Sequence, residues 1–248
     1  MDIAVIGSNM IDLVVYTDQV PKEGETLEGQ DFAMTCGGKG ANQAVAAAQL
    51  GASVGLVSKV GDDAFAQTQL ASLQGFGIDT RWVSVAPNTS SGVAQIIVDA
   101  KGNNRILIVP GANKQLEPAD IEAIRPALAQ VQLIVLQLEI PLPTVYHAID
   151  FANAAGIPVI LNPAPATTEL DIDYACRCDY FVPNETELAI LTGQPVDSME
   201  AIHSAAATLQ QRGLQHLIVT LGAQAWMTGT GPELFDTMGG RAMYLEVT

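Results

Sequence analysis

The residues of this chain that could do chemistry fall in five short stretches. The first is Gly37-Gly38-Lys39-Gly40-Ala41-Asn42-Gln43. Its glycines permit close approach of backbone to a ligand, and they feed a helix N-terminus, where N–H groups favour anions. Asn42 offers one carbonyl and one NH₂ group to hydroxyls. No Ser or Thr follows Lys39, so this is not a Walker A loop, and the dinucleotide spacing Gly-x-Gly-x-x-Gly is absent. A plain Gly-rich turn before a helix is the alternative. The second is Asp12, which follows the first strand inside an apolar stretch. A carboxylate there would lie near the carboxyl edge of an open α/β sheet, where such folds bind ligands, and could bridge two sugar hydroxyls. It could equally be a turn residue. The third is Glu139, which ends an apolar strand over residues 133–138 at the same edge, or is simply a surface charge.

The fourth stretch, Asn184-Glu185-Thr186-Glu187, opens a helix after the strand-like residues 180–183. Asn184 and Glu187 have the spacing of a capping box. They also have the oxygen donors to meet a hydrated Mg²⁺ shared with phosphates. The fifth, Val219-Thr220-Leu221-Gly222, is a strand end able to touch a nucleotide.

These residues must be positioned by a repeating framework. Apolar β runs at residues 2–7, 53–60, 133–138, 158–161 and 217–220 alternate with helical patterns at 41–50, 62–73, 118–130, 142–155, 185–192 and 199–212. The helix over 62–73 is expected to have an acidic first turn, and Gly51 suits the C-terminal cap of the helix before it. Strands that are apolar throughout, separated by amphipathic helices, predict a parallel sheet covered on both faces. Residues 92–99 and 105–109 flank Ala100-Lys101-Gly102-Asn103-Asn104, a β-hairpin signature. With residues 27–34 they break the rhythm and predict a small antiparallel lid. The hairpin's apolar faces and unpaired edge predict a homodimer contact.

Composition narrows the function classes. The net charge of −16 makes nucleic acid a poor partner, because phosphate binding needs basic patches. No apolar run is long enough to suggest a membrane span, and the N-terminus has no basic lead of a secretory signal. A cytoplasmic enzyme is expected. Cys36, Cys176 and Cys178 are odd in number and read as reduced thiols; Cys-Arg-Cys lacks partner ligands at zinc spacing.

In order and spacing these pieces resemble the ribokinase (PfkB-type) carbohydrate kinase family. Gly-Gly-Lys-Gly-Ala-Asn-Gln is that family's N-terminal signature and Asn-x-x-Glu its metal-phosphate motif, and the likeness runs over residues 1–224. The resemblance implies an α/β, ribokinase-like, parallel-sheet three-layer sandwich with a small β lid. It implies one domain over residues 1–248, with lid insertions near 13–34 and 92–109. The implied activity is transfer of the ATP γ-phosphoryl group to the 5-hydroxyl of a pentose, with Mg²⁺ and, in the intact family, a monovalent cation such as K⁺. Asp12, Gly38, Asn42 and Glu139 are implied to bind sugar hydroxyls, with Lys39 in the same loop. Asn184 and Glu187 are implied to organise Mg²⁺ and phosphates, Glu187 as the metal residue, and Thr220 and Gly222 to line the ATP site. A nucleoside or other sugar kinase of the family, and a sugar-binding protein without catalysis, are the competing expectations.

Two details refine the resemblance. Residues 7–12, 136–139 and 174–179 resemble family members that use 2-deoxyribose. Many ribose-specific members carry Asn two residues before the sugar-binding Asp, where this chain has Met10. A thioether packs against CH₂ but serves a hydroxyl poorly, so 2-deoxyribose is the expected sugar. The family's catalytic base is an Asp in a Gly-Ala-Gly-Asp segment after the position of Gly222. Here the sequence instead runs Ala223-Gln224-Ala225-Trp226-Met227-Thr228, and Asp236-Thr237-Met238-Gly239-Gly240-Arg241 is only an echo of the pattern. No catalytic role passes to Asp236, and negligible phosphoryl transfer is expected of the chain as written.

Overall fold

A computed structural model describes residues 1–221 and the backbone of residues 224–229; Gly222, Asp236 and the other tail positions discussed above lie outside them. The chain begins with β1 (Ile3–Ile6), β2 (Met10–Thr17) and β3 (Asp31–Gly37), followed by α1 (Lys39–Gln49), β4 (Val54–Val60) and α2 (Ala64–Gly75). Then come β5 (Val83–Val85), β6 (Gly92–Asp99), β7 (Asn104–Val109) and a 3₁₀ turn over Gly111–Gln115. The remainder is α3 (Pro118–Ala123), α4 (Arg125–Leu128), β8 (Leu133–Leu136), α5 (Leu142–Ala155), β9 (Val159–Leu161), α6 (Ile172–Ala175), β10 (Tyr180–Phe181), α7 (Glu185–Thr192), α8 (Met199–Gln211), β11 (His216–Leu221) and β12 (Gln224–Gly229).

The body sheet runs β12-β11-β10-β9-β8-β1-β4-β5. Its seven strands from β11 to β5 are mutually parallel, and β12 joins β11 antiparallel. Alternate side chains of β1 enter different cores: Ala4 and Ile6 join the larger cluster, Val5 the smaller. The smaller cluster takes Ala41 and Ala44 of α1 and Leu73 of α2, whereas the larger takes residues from α3 through α8. The sheet is thus sandwiched between helices, as a continuously apolar parallel sheet requires.

Local signals explain several boundaries. Asp63 caps α2 by accepting from Ala66 N at 3.1 Å, so the acidic pair Asp62-Asp63 stands before the helix and its first turn holds no acidic residue. Gly51, at φ 96°, follows the α1 cap residue Leu50. The helix expected over 118–130 is two short helices that break at Ile124. Pro126, which has no N–H, stands at the second position of the latter helix, where that donor has no helical partner to lose. β5 and α6, each at most four residues long, carry no sequence period to betray them.

The second sheet has the order β3-β2-β6-β7 and forms the lid. Its outer pairs are antiparallel, but the central pair β2–β6 is parallel, which corrects the expected all-antiparallel lid. The two strands arrive from separate body connections and cross into the lid in the same direction. Asp12 belongs to β2, within the lid, and does not end a body strand as its sequence context suggested. Ser91, just before β6, is held by Asp63: the carboxylate accepts from Ser91 N at 2.8 Å and from its hydroxyl at 2.7 Å.

The three cysteines are free thiols: Cys176 and Cys178 are buried and Cys36 is partly so. Burial pushes Cys176 up to about 11 and raises Cys178 as well. Among the described residues no group of three or more His, Cys, Asp or Glu is placed to hold a metal ion, and no helix is long and apolar enough to cross a membrane.

Candidate functional site

Glu139 is the hinge of the candidate site. It lies three residues beyond the end of β8, and one carboxylate oxygen, Oε2, accepts from Ser8 Oγ at 2.5 Å and from Lys39 N at 2.9 Å. Ser8 Oγ in turn accepts from Gly40 N at 3.2 Å. A carboxylate from β8 and a hydroxyl from the end of β1 therefore satisfy the first free N–H groups of α1, where the helix dipole favours negative charge. Gly38, the N-cap, has no side chain to do this.

The glycines pack against the protein's own backbone. Gly38 has φ 92°, and a Cβ there would come within 2.9 Å of Met10 N. One on Gly40 would meet Ser8 N at 2.6 Å and Ser8 O at 2.7 Å. The Gly-rich signature thus lets α1 start directly on the β1–β2 crossing. Asn42, in the first turn of α1, is exposed; Lys39 is partly buried.

From the lid, β2 contributes Met10 and Asp12. Both lie on one face of the strand, by the alternation of side chains. Met10 is 3 % exposed and pairs with Gly37 on one side and Gly92 on the other. A Cβ on Gly37 would fall 2.2 Å from Asp12 Oδ2, so the Asp12 carboxylate lies across the Gly-rich turn. Burial raises the Asp12 carboxyl above its ordinary 3.8, and the charge of Glu139 adds to the effect. Asp12 of the lid and Glu139 after β8 are therefore near enough for their charges to interact, with Glu139 held at the start of α1.

The second group lies farther along the same sheet edge. Asn184 and Glu187 form a reciprocal capping box on α7: Asn184 N donates to Glu187 Oε2 at 2.9 Å and Glu187 N to Asn184 Oδ1 at 2.8 Å. Asn184 bridges to Thr220, and Thr220 N donates to Pro183 O at 3.0 Å, so the two candidate nucleotide residues are neighbours on adjacent strand ends. Their oxygens are hard donors of the kind Mg²⁺ accepts. β10 is two strand positions from β8 in the sheet, about 10 Å between strand axes at the usual spacing.

Three contributors escaped the sequence reading of roles. Ser8 stands in a strand-end turn with nothing local to mark it as a link to Glu139. Asn113, fully buried, brackets the main chain of Asn9. Gln137 donates to Gln43 at 2.6 Å and joins the end of β8 to α1. Each partner is far away in sequence, so no short-range signal could have found them.

A parallel α/β sandwich with a mixed β lid and a site at their junction defines a class of carbohydrate kinases. The chain belongs to the pfkB family of carbohydrate kinases, whose family model matches residues 1–233. It is 59 % identical over 230 residues to the deoxyribokinase of Salmonella typhi, covering 92 % of this chain and 75 % of that one. It is 38 % identical over 221 residues to the ribokinase of Mus musculus, covering 89 % and 68 % of the two chains. The structure of Arabidopsis thaliana ribokinase complexed with ribose and ATP superposes with a TM-score of 0.84 at 32 % identity, covering 93 % of this chain and 75 % of that one.

Proposed function

We propose that the chain is the scaffold of an ATP-dependent pentose kinase, with 2-deoxyribose or ribose in the junction between lid and body and its 5-hydroxyl as the acceptor. The observation that carries this reading is that Asp12 from the lid lies against the Gly-rich turn and interacts with Glu139 from the body, which is bound to the start of the helix that carries Asn42. Two carboxylates and an amide supply the acceptors and donors that a polyol needs. The 59 % identity to a deoxyribokinase supports the pentose class. Asn184, Glu187 and Thr220 would hold the phosphates and Mg²⁺ of ATP, with Gly222 beside them. Mg²⁺ would neutralise phosphate charge when bound; the chain's own residues orient the sugar and exclude water from it.

The same proposal places the enzyme in the cytoplasm, as an acidic protein with free thiols, and as a homodimer through its lid. It gives the 248-residue chain sugar binding with little turnover of its own. No Gly-Ala-Gly-Asp occurs in its sequence, and a missing base typically lowers a rate by ~10²–10⁴-fold. Isothermal titration with 2-deoxyribose, ribose and Mg·ATP, beside a coupled ADP-release assay, tests both parts. Sugar binding with turnover below ~1 s⁻¹, the low end for ordinary enzymes, is expected. No sugar binding would overturn the kinase-scaffold reading. Turnover above that value, lost in Asp236→Asn, would overturn the inactive one.

A further inference from the structure

The chain crosses between body and lid four times, and a single side chain ties three of those crossings together. Asn113, in the 3₁₀ turn after β7, is fully buried. Its Oδ1 accepts from Asn9 N at 2.9 Å, and its Nδ2 donates to Asn9 O at 2.9 Å and to Pro110 O at 3.0 Å. Asn9 leads into β2, and Pro110 leaves β7. The third crossing is Gly92, the first residue of β6. A Cβ on Gly92 would lie 2.3 Å from Asn113 Nδ2 and 3.0 Å from Asn9 O, so glycine leaves the room that the amide occupies. The fourth crossing, at Gly38, packs directly on Asn9, with a Cβ there 3.0 Å from Asn9 Cα. Every path into the lid therefore converges on Asn9, and Asn113 holds both of its main-chain groups.

Asn9 is one residue from Met10 and three from Asp12, and β2 pairs without a break from Met10 onward. A shift of the Asn9 peptide is carried directly to both side chains. We propose that Asn113 is a positioning residue for the sugar site: its bidentate grip on Asn9 sets where the lid presents Met10 and Asp12 to the sugar, opposite Asn42 and Glu139 on the body. The inference rests on the sugar-site reading above. A buried amide with both N–H groups and its oxygen bonded to backbone is also a plain structural tie. The two roles differ in what they predict. A structural tie affects the whole molecule, whereas a positioning residue affects the sugar and spares the nucleotide residues Asn184, which caps α7 just after β10, and Thr220 on β11, strands that lie across β9 and β8 from β1.

The test uses Asn113→Asp, which keeps the acceptor for Asn9 N and removes both N–H donors, and Gly92→Ala, which keeps Asn113 and crowds it together with Asn9 O and Met10 Cγ. Calorimetry gives the affinity of each variant for 2-deoxyribose and, separately, for Mg·ATP; thermal melts report folding. Asn113→Asp is expected to weaken sugar binding about tenfold or more, the effect of losing a buried hydrogen bond, with the Mg·ATP affinity within about twofold. Gly92→Ala should shift the sugar affinity in the same direction. If Asn113→Asp does not fold, Asn113→Ser, read by the same two affinities, decides the matter. Sugar affinity within twofold of wild type, or sugar and ATP affinities falling together, overturns the proposal. Absence of sugar binding by the unaltered chain would instead sink the sugar-site reading, and this inference with it.

Discussion

Glu139 acts on Asp12 across the boundary between two sheets: its charge, added to burial, holds the Asp12 carboxyl above 3.8. A carboxyl raised in the folded state favours the proton there, so Asp12 opposes folding at neutral pH, and that opposition fades as pH falls through the raised value. Asp12→Asn is therefore expected to raise the melting temperature at pH 7 while weakening sugar binding by about 1–3 kcal/mol. A lower melting temperature with unchanged sugar affinity would count against both the electrostatics and the site.

The same relationship sets a pH dependence. Only the ionised Asp12 accepts two hydroxyls without offering a proton, so sugar affinity should fall on acidification with a midpoint above 3.8. Glu139→Gln removes the neighbouring charge and should move that midpoint down. Titrations at stepped pH check the direction, and an upward or absent movement refutes it.

Two glycine substitutions separate packing from propensity. In Gly40→Ala the new methyl meets backbone at 2.6 and 2.7 Å, which cannot give way as a side chain does. A loss of about 1–3 kcal/mol or more follows. Gly75, the last residue of α2, has nothing within 4 Å of an added Cβ, so Gly75→Ala should gain up to about 1 kcal/mol. Urea unfolding of both variants measures the contrast.

Met10→Asn is expected to shift preference from 2-deoxyribose toward ribose. The side chain is buried between Gly37 and Gly92, where an amide can serve a hydroxyl and a thioether cannot. The ratio of the two dissociation constants is the measurement. An unchanged ratio would mean that Met10 acts only as packing.

β7 is an edge strand of the lid, and Ile106, Leu107, Ile108 and Val109 are 45–70 % exposed on it. Apolar side chains on an unpaired edge favour association. Light scattering at micromolar concentration should find a dimer, and Leu107→Lys should give a monomer. A monomeric wild-type chain would remove the lid from the list of interfaces.

The sequence alone determined what depends on near neighbours. The parallel body, the positions of most helices, the hairpin at β6–β7, the capping box of Asn184 and Glu187, and the Gly-rich start of α1 all have causes within a few residues, where periodicity and turn chemistry act. The family resemblance was legible for the same reason. Tertiary structure decided the rest. That Asp12 belongs to the lid depends on β2 pairing with β6, about eighty residues away and in parallel. Ser8 and Glu139 meet across 131 residues, and Asn9 and Asn113 across 104. Such contacts exist only because the strand order sets β8 beside β1 and brings the four lid crossings to one point. Strand order is a property of how distant apolar faces bury one another, and no local run of residues encodes it.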